Sequence, residues 1–188
     1  MGERIYVKTP EFRGSFVNLV TARAIKSDDG ADSEPKYGLA IVLPTGKAST
    51  KAFNVELRKA ITAACVDKFG KDIPQAKLKH FPIRDGASVG DNGQFDGHLF
   101  IRASTKFKPS FCDKHGDKLE TEEDLYSGAW YKVKVSVWAW EHKTGGRGVS
   151  ISLETGIKVR DDDKFGGGGG NAAEDFKEDL GAVDNDLG

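Results

Sequence analysis

"WYKVKVSVWAW", residues 130–140, alternates with a period of two, and its reading decides how the chain is built. Successive side chains of a β-strand point to opposite faces. Tyr131, Val133, Val135, Val137 and Ala139 make one set, the set a strand buries. Trp130, Lys132, Lys134, Ser136, Trp138 and Trp140 make the other, which holds all three tryptophans of the chain with two lysines between them. A face with two lysines is not a barrel interior, because buried unpaired charge is costly. A register-shifting bulge would instead turn Trp138 and Trp140 under a helix.

Outward from this strand the pattern stays β-rich. "EHKTGGRG" (141–148) reads as a turn and "VSISLETGIKV" (149–159) as the returning strand of a hairpin. Upstream, "HLFIRAS" (98–104), "FRGSFVNLV" (12–20) and "YGLAIVL" (37–43) are strand-like. Phe53, Leu57, Ala60, Ile61, Ala64 and Cys65 recur at helical spacing, which predicts one amphipathic helix near 50–69. Ser49 or Thr50 is its expected N-cap and Gly70 its stop. Residues 71–97 and 106–128 read as long turn-rich loops. Five or so strands, one main α-helix and long inserted loops predict a mostly β protein, a small antiparallel β-barrel.

The net charge of −1 hides two unlike parts. Residues 161–188 carry nine acidic residues and two lysines, while residues 1–160 carry 20 acidic and 26 basic ones. The expected organisation is a basic domain over 1–160 and, over 161–188, a five-glycine linker with a disordered acidic tail. The body attracts a polyanion and the tail competes with it. No apolar run is long enough for a membrane span, and the first residues lack the apolar centre of a signal peptide. Two cysteines fit a reducing compartment, so the expected location is cytoplasmic.

Same-face neighbours on a strand lie about 6.6 Å apart, near the base spacing of a stretched single strand. A tryptophan ring offers a π-surface on which any base stacks, and lysine neutralises phosphate. Trp130, Lys132, Lys134, Trp138 and Trp140 therefore have the makeup of a single-strand platform. Phe100, Arg102, Lys106 and Lys108 repeat it weakly against an inward set of Leu99, Ile101, Ala103 and Phe107. Tyr126 is a further stacking candidate and Arg147, in the hairpin turn, a further phosphate contact.

Rival chemistry is thinner. Cys112 and His115 have metal-like spacing but supply two ligands, so Cys65 and His80 would have to complete a site. Asp85, Asp91, Asp96 and His98 could serve a metal-dependent nuclease, yet Asp before Gly is what turns favour. No phosphate-loop, nucleophile-elbow or HExxH motif occurs, and the reading is of a protein that is not an enzyme and takes no cofactor. A protein–protein adaptor with a tryptophan face is the remaining alternative.

The order "YGLAIVLP", helix, "PIRDG", "GHLFIRASTKFKP", "YSGAWYKVKVSVWAW", glycine-rich turn, "ISLETGIKVRDDDKFGG" and acidic "AEDF" resembles the tailed-phage single-stranded DNA-binding proteins. That family has an OB-fold and is loosely similar to the T7-type phage protein. The resemblance runs over about residues 10–180. It implies an OB-fold-like barrel that coats single-stranded DNA in replication, recombination and repair in the host cell. It also implies an acidic tail that restrains DNA binding and meets replication partners, here through Asp175, Phe176, Asp179, Asp184 and Asp186. In T7-type relatives the tail ends on an aromatic residue; here it ends "DNDLG" and Phe176 is internal. Self-association is left open.

Overall fold

The computed structural model describes residues 4–24, 33–90, 92–144 and 146–165. Among them nine strands and one long helix follow in order: β1 (Ile5–Lys8), β2 (Phe12–Arg23), β3 (Lys36–Pro44), α1 (Ala48–Phe69), β4 (Arg84–Asp85), β5 (His98–Thr105), β6 (Ser110–Cys112), β7 (Lys118–Leu119), β8 (Trp130–His142) and β9 (Gly146–Arg160). The strands predicted from alternation are β2, β3, β5, β8 and β9. The hairpin turn is tighter than expected, because β8 runs on to His142 and β9 begins at Gly146. The tail residues Asp175, Phe176, Asp179, Asp184 and Asp186, and Asp91, lie outside the described residues.

Those five strands close on themselves. β8 pairs β2, β2 pairs β3, β3 pairs β5, β5 meets β9, and β9 returns along β8. The pairing is antiparallel except at the β5–β9 seam, where the strands run parallel. Taken in chain order, the ring reads first, second, third, fifth, fourth, a closed Greek-key path of the OB kind. β1 adds to the free edge of β8. The 106–128 loop holds a short hairpin, β6–β7, whose first strand lies beside β9.

The alternation of the quoted stretch is what fills the ring. Tyr131, Val133, Val135 and Val137 are buried, with Ile41, Ile101, Val149, Ile151 and Leu153 facing them. Each such side chain contributes about 1.5–3 kcal/mol on leaving water. Tyr131 anchors one end. Its hydroxyl donates to the Tyr126 carbonyl at 2.8 Å and accepts the Tyr126 N–H at 2.9 Å. Its ring lies where Gly14 has no side chain; a Cβ there would sit 2.7 Å from it. Burial holds the phenol well above the usual tyrosine range.

The helix begins two residues before the sequence suggests. Lys47 is the N-cap, with no side-chain cap bond, and Ser49 and Thr50 fall inside the first turn. Gly70 ends it as expected, at φ 72°, donating its N–H to Val66. The predicted apolar stripe of Phe53, Leu57, Ala60, Ile61, Ala64 and Cys65 is buried against β8 and β1. A separate small cluster, Ala40, Phe95 and Phe100, lies on the other side of the sheet, where the segment before β5 folds over the outer faces of β3 and β5.

Candidate nucleic-acid interface

The three tryptophans share a face of β8 but not a setting. Trp138 is 48% exposed, and its indole N–H donates to Ser152 Oγ on β9 at 2.9 Å. Trp140 repeats that bond to Ser150 Oγ but is half-buried. Its ring covers Gly148, which has no Cβ to block it, and His142 and His80 lie 4.9 and 6.5 Å from its centre. Trp130 is half-buried and already partnered. The Arg160 guanidinium sits over its ring at 4.0 Å, and its N–H donates to Asp162 at 2.8 Å.

Trp138 and Trp140 form one wall of a groove of about 650 Å³. Ser150, Ser152 and Ser104 floor it, and Lys106, Phe107 and Lys108 rise on its far side. Arg4 and Lys36 complete its cationic rim, while Glu154 is held by Ser136 and Arg4. Phe107 is 81% exposed. The alternation rule put it inside, but β5 ends at Thr105, so the rule stops applying two residues earlier. The signal was present in "KFKP": a proline just past the strand, with lysines on both sides of an aromatic ring.

The other sequence-predicted residues scatter. Phe100 lies on the outer face as expected, but it is 1% exposed beneath Phe95 and offers no stacking surface. Arg102 follows on the same face, exposed, with no carboxylate partner among the described residues. Lys106 pairs with Glu34 at the groove's edge. Lys132 is exposed, and Lys134 sits over the Tyr6 ring at 4.2 Å, both beyond the groove's end. Arg147 bonds Glu141 at 2.8 Å and covers Phe69 at the end of α1, which makes it part of the hairpin's scaffold.

Tyr126 and Trp130 instead meet the segment leaving β9. The Tyr126 hydroxyl donates to Asp161 at 2.9 Å, and Lys158 bonds the same carboxylate. The Lys158 and Tyr126 bonds hold the Asp161 carboxyl below its usual range. The Trp130 N–H does the same for Asp162, helped by the Asp163 N–H and the charges of Arg13 and Arg160. Arg13 also donates to the Asp163 carbonyl at 2.7 Å and lies over the Phe165 ring at 4.2 Å. The first acidic residues after β9 thus occupy cations and aromatics of the body.

Two of the nuclease candidates, Asp85 and His98, bond to nearby backbone. Asp85 caps a turn by accepting the Ala87 N–H at 3.0 Å, and His98 donates to the carbonyl of Asp96. Cys65 is buried at the helix, which pushes its thiol up, and Cys112 sits on β6. Among the described residues no three His, Cys, Asp or Glu side chains are arranged to hold a metal, and no helix is long and apolar enough to cross a membrane.

A second feature emerges only when the registers are joined. Ser136 on β8 is opposite Ser152 on β9, Ser152 opposite Ser104 on β5, Ser104 opposite Gly38 on β3, and Gly38 opposite Asn18 on β2. One small residue from each of the five strands makes a continuous row across the ring. At about 4.8 Å per strand the row spans about 19 Å.

Comparison with known proteins agrees with this geometry. A family model described as Enterobacter phage Enc34, ssDNA-binding protein, matches residues 5–187. Protein p50 of Acyrthosiphon pisum secondary endosymbiont phage 1 is 30% identical over 160 residues, 81% of this chain and 84% of its own. The solved structure of the single-stranded DNA-binding protein from bacteriophage Enc34 superposes with a TM-score of 0.71 at 21% identity, over 91% of this chain and 89% of that one. The same protein in complex with ssDNA gives 0.70 at 23%, over 86% and 89%. The single-stranded DNA-binding protein encoded by bacteriophage T7 gives 0.55 at 15%, over 94% of each chain. The ring, the helix between its second and third strands and the matched span lead to one conclusion: the chain belongs to the Enc34 family of phage ssDNA-binding proteins.

Proposed function

We propose that this protein binds single-stranded DNA without regard to sequence and coats it during phage replication, recombination and repair in the host cytoplasm. It does so by stacking and charge, not by catalysis. The observation that carries the reading is the Trp138 groove: two open aromatic rings, Trp138 and Phe107, with Lys36, Lys106, Lys108 and Arg4 around them. Any base presents a π-face to such rings, so recognition ignores sequence. The indole N–H of Trp138 is already satisfied by Ser152, so the ring is oriented before a base arrives and gives up no water-exposed donor on stacking.

From the groove the strand follows the row of small residues across β9 and β5, where Arg102 meets the backbone. Gly38 leaves room for the chain, and the Ser104 and Ser152 hydroxyls donate to phosphate oxygens. Lys132, Lys134 and Arg147 add long-range attraction rather than direct contacts. The body is residues 1–160, and residues 161–188 act as a competing polyanion that also meets replication and recombination proteins. Support for the competition comes from Asp161 and Asp162, whose carboxylates already engage Lys158, Trp130 and Arg13.

Labelled oligo-dT titrated by anisotropy at two salt concentrations tests the reading. Binding that weakens steeply with salt and is lost in part on Trp138→Ala is the expected result. Equal affinity of folded Trp138→Ala and wild type removes the groove as the site.

A further inference from the structure

At the far end of the row of small residues, beyond Asn18, β2 breaks register between Ser15 and Asn18. Phe16 lies in this break with φ 49°, and it has the only positive φ of any non-glycine among the described residues. A bulky residue in this region is an outlier that the surrounding structure must hold in place. A bulge of this kind re-aims a side chain. Here it turns Phe16 out of the alternation and onto the outer surface, where the ring is 51% exposed.

The ring is also supported from below. Phe95 and Phe100 lie 6.1 and 6.2 Å from its centre, the latter edge-on. The Arg102 guanidinium stands 5.9 Å from the same centre. The open side faces a groove of about 870 Å³ whose lining includes Asn18, Arg23, Gln94 and Arg102. Two guanidinium groups, Arg23 and Arg102, beside an upturned aromatic ring suit an anionic ligand with a flat face. Ser104, in the Trp138 groove, and Arg102, in this one, are neighbours on the same face of β5. The two grooves are therefore ends of one band.

We infer that Phe16 is a second base-stacking station, taking a nucleobase at the opposite end of the strand path from Trp138 while Arg102 holds the adjoining phosphate. This rests on the single-strand reading above. The strained backbone is what lifts the ring to the height of the passing bases. With about 19 Å between the ends, a ligand of a few nucleotides reaches one station only, and a longer one reaches both.

The test compares oligo-dT of about 3 and about 12 nucleotides, the latter inside the 4–16 nucleotide range of such folds, on wild type, Phe16→Leu and Phe16→Trp. Leucine keeps apolar packing on Phe95 and Phe100 but has no π-face; tryptophan restores one. Expected is a loss of about 5- to 150-fold for the longer oligonucleotide with Phe16→Leu, no change for the shorter, and recovery with Phe16→Trp. Thermal unfolding of each variant confirms that folded protein is compared. If Phe16→Leu binds both lengths as wild type does, Phe16 merely covers the small cluster beneath it and the inference fails. If wild type binds neither length, the single-strand reading itself fails, a result the first outcome cannot be confused with.

Discussion

Trp130 and Trp138 lie on the same face of the same strand, and the alternation along that strand treats them alike. One is capped by Arg160 and bonded to Asp162; the other stands half exposed over a groove. The difference comes from what crosses each end of β8. At the Trp130 end the chain leaves β9 and folds back, bringing three aspartates against Tyr126, Trp130 and Arg13. At the Trp138 end β9 supplies serines in place of charges, and no described segment hydrogen-bonds across the Trp138 ring as Asp162 does at Trp130. A wet strand face is thus two surfaces, one partnered by the protein's own side chains and one more open.

The harshest way to break this comparison is at the residue beneath the closed end. Tyr131→Ala empties a fully buried aromatic site and strands the Tyr126 backbone groups, so a loss of about 3–5 kcal/mol in denaturant unfolding is expected. Trp138→Ala should do the reverse of that. Stability should move by no more than about 0.5 kcal/mol, while oligo-dT affinity falls by about 1–3 kcal/mol. Trp130→Ala should cost about 1 kcal/mol of stability through the lost Asp162 bond and Arg160 stacking, with affinity nearly unchanged. If Trp130→Ala weakens binding as much as Trp138→Ala does, the two ends are one surface after all.

Ending the chain at Arg160 sharpens the contrast further. It frees Trp130, Arg13 and Lys158 and removes the polyanion, so affinity should rise at low salt and the gain should shrink as salt screens it. The smallest effect is on pH. Asp161 and Asp162 have carboxyls held below their usual range, so their contacts are in place above the unfolded value near about pH 4. As pH falls through the lower folded values those contacts are lost. In a Trp138→Phe, Trp140→Phe protein, Trp130 emission should therefore shift only below about pH 4, with no matching change between neutral pH and that point.

What the sequence made legible was local. Period two along 130–140 separated core from surface, and spacing of 3.6 gave α1, because each signal lies within one element. Phe100 was assigned to the right face but the wrong exposure, since the segment that carries Phe95 covers it from elsewhere in the chain. The Asp162 and Arg160 contacts of Trp130 were hidden for the same reason, since they come from the chain beyond β8. Phe107 was missed because the alternation was carried past the strand's end, and Phe16 because a bulge cancels alternation where it occurs. The row from Ser136 to Asn18 belongs to no segment at all. It exists only in the registers of five strands, and no local period encodes those.

The most direct test of the central claim follows tryptophan emission as oligo-dT is added to wild type, Trp138→Phe and Trp130→Phe. The account predicts strong quenching in wild type, most of it lost with Trp138→Phe and kept with Trp130→Phe, and all of it reduced by salt. Quenching that survives Trp138→Phe intact, or disappears with Trp130→Phe, would contradict it.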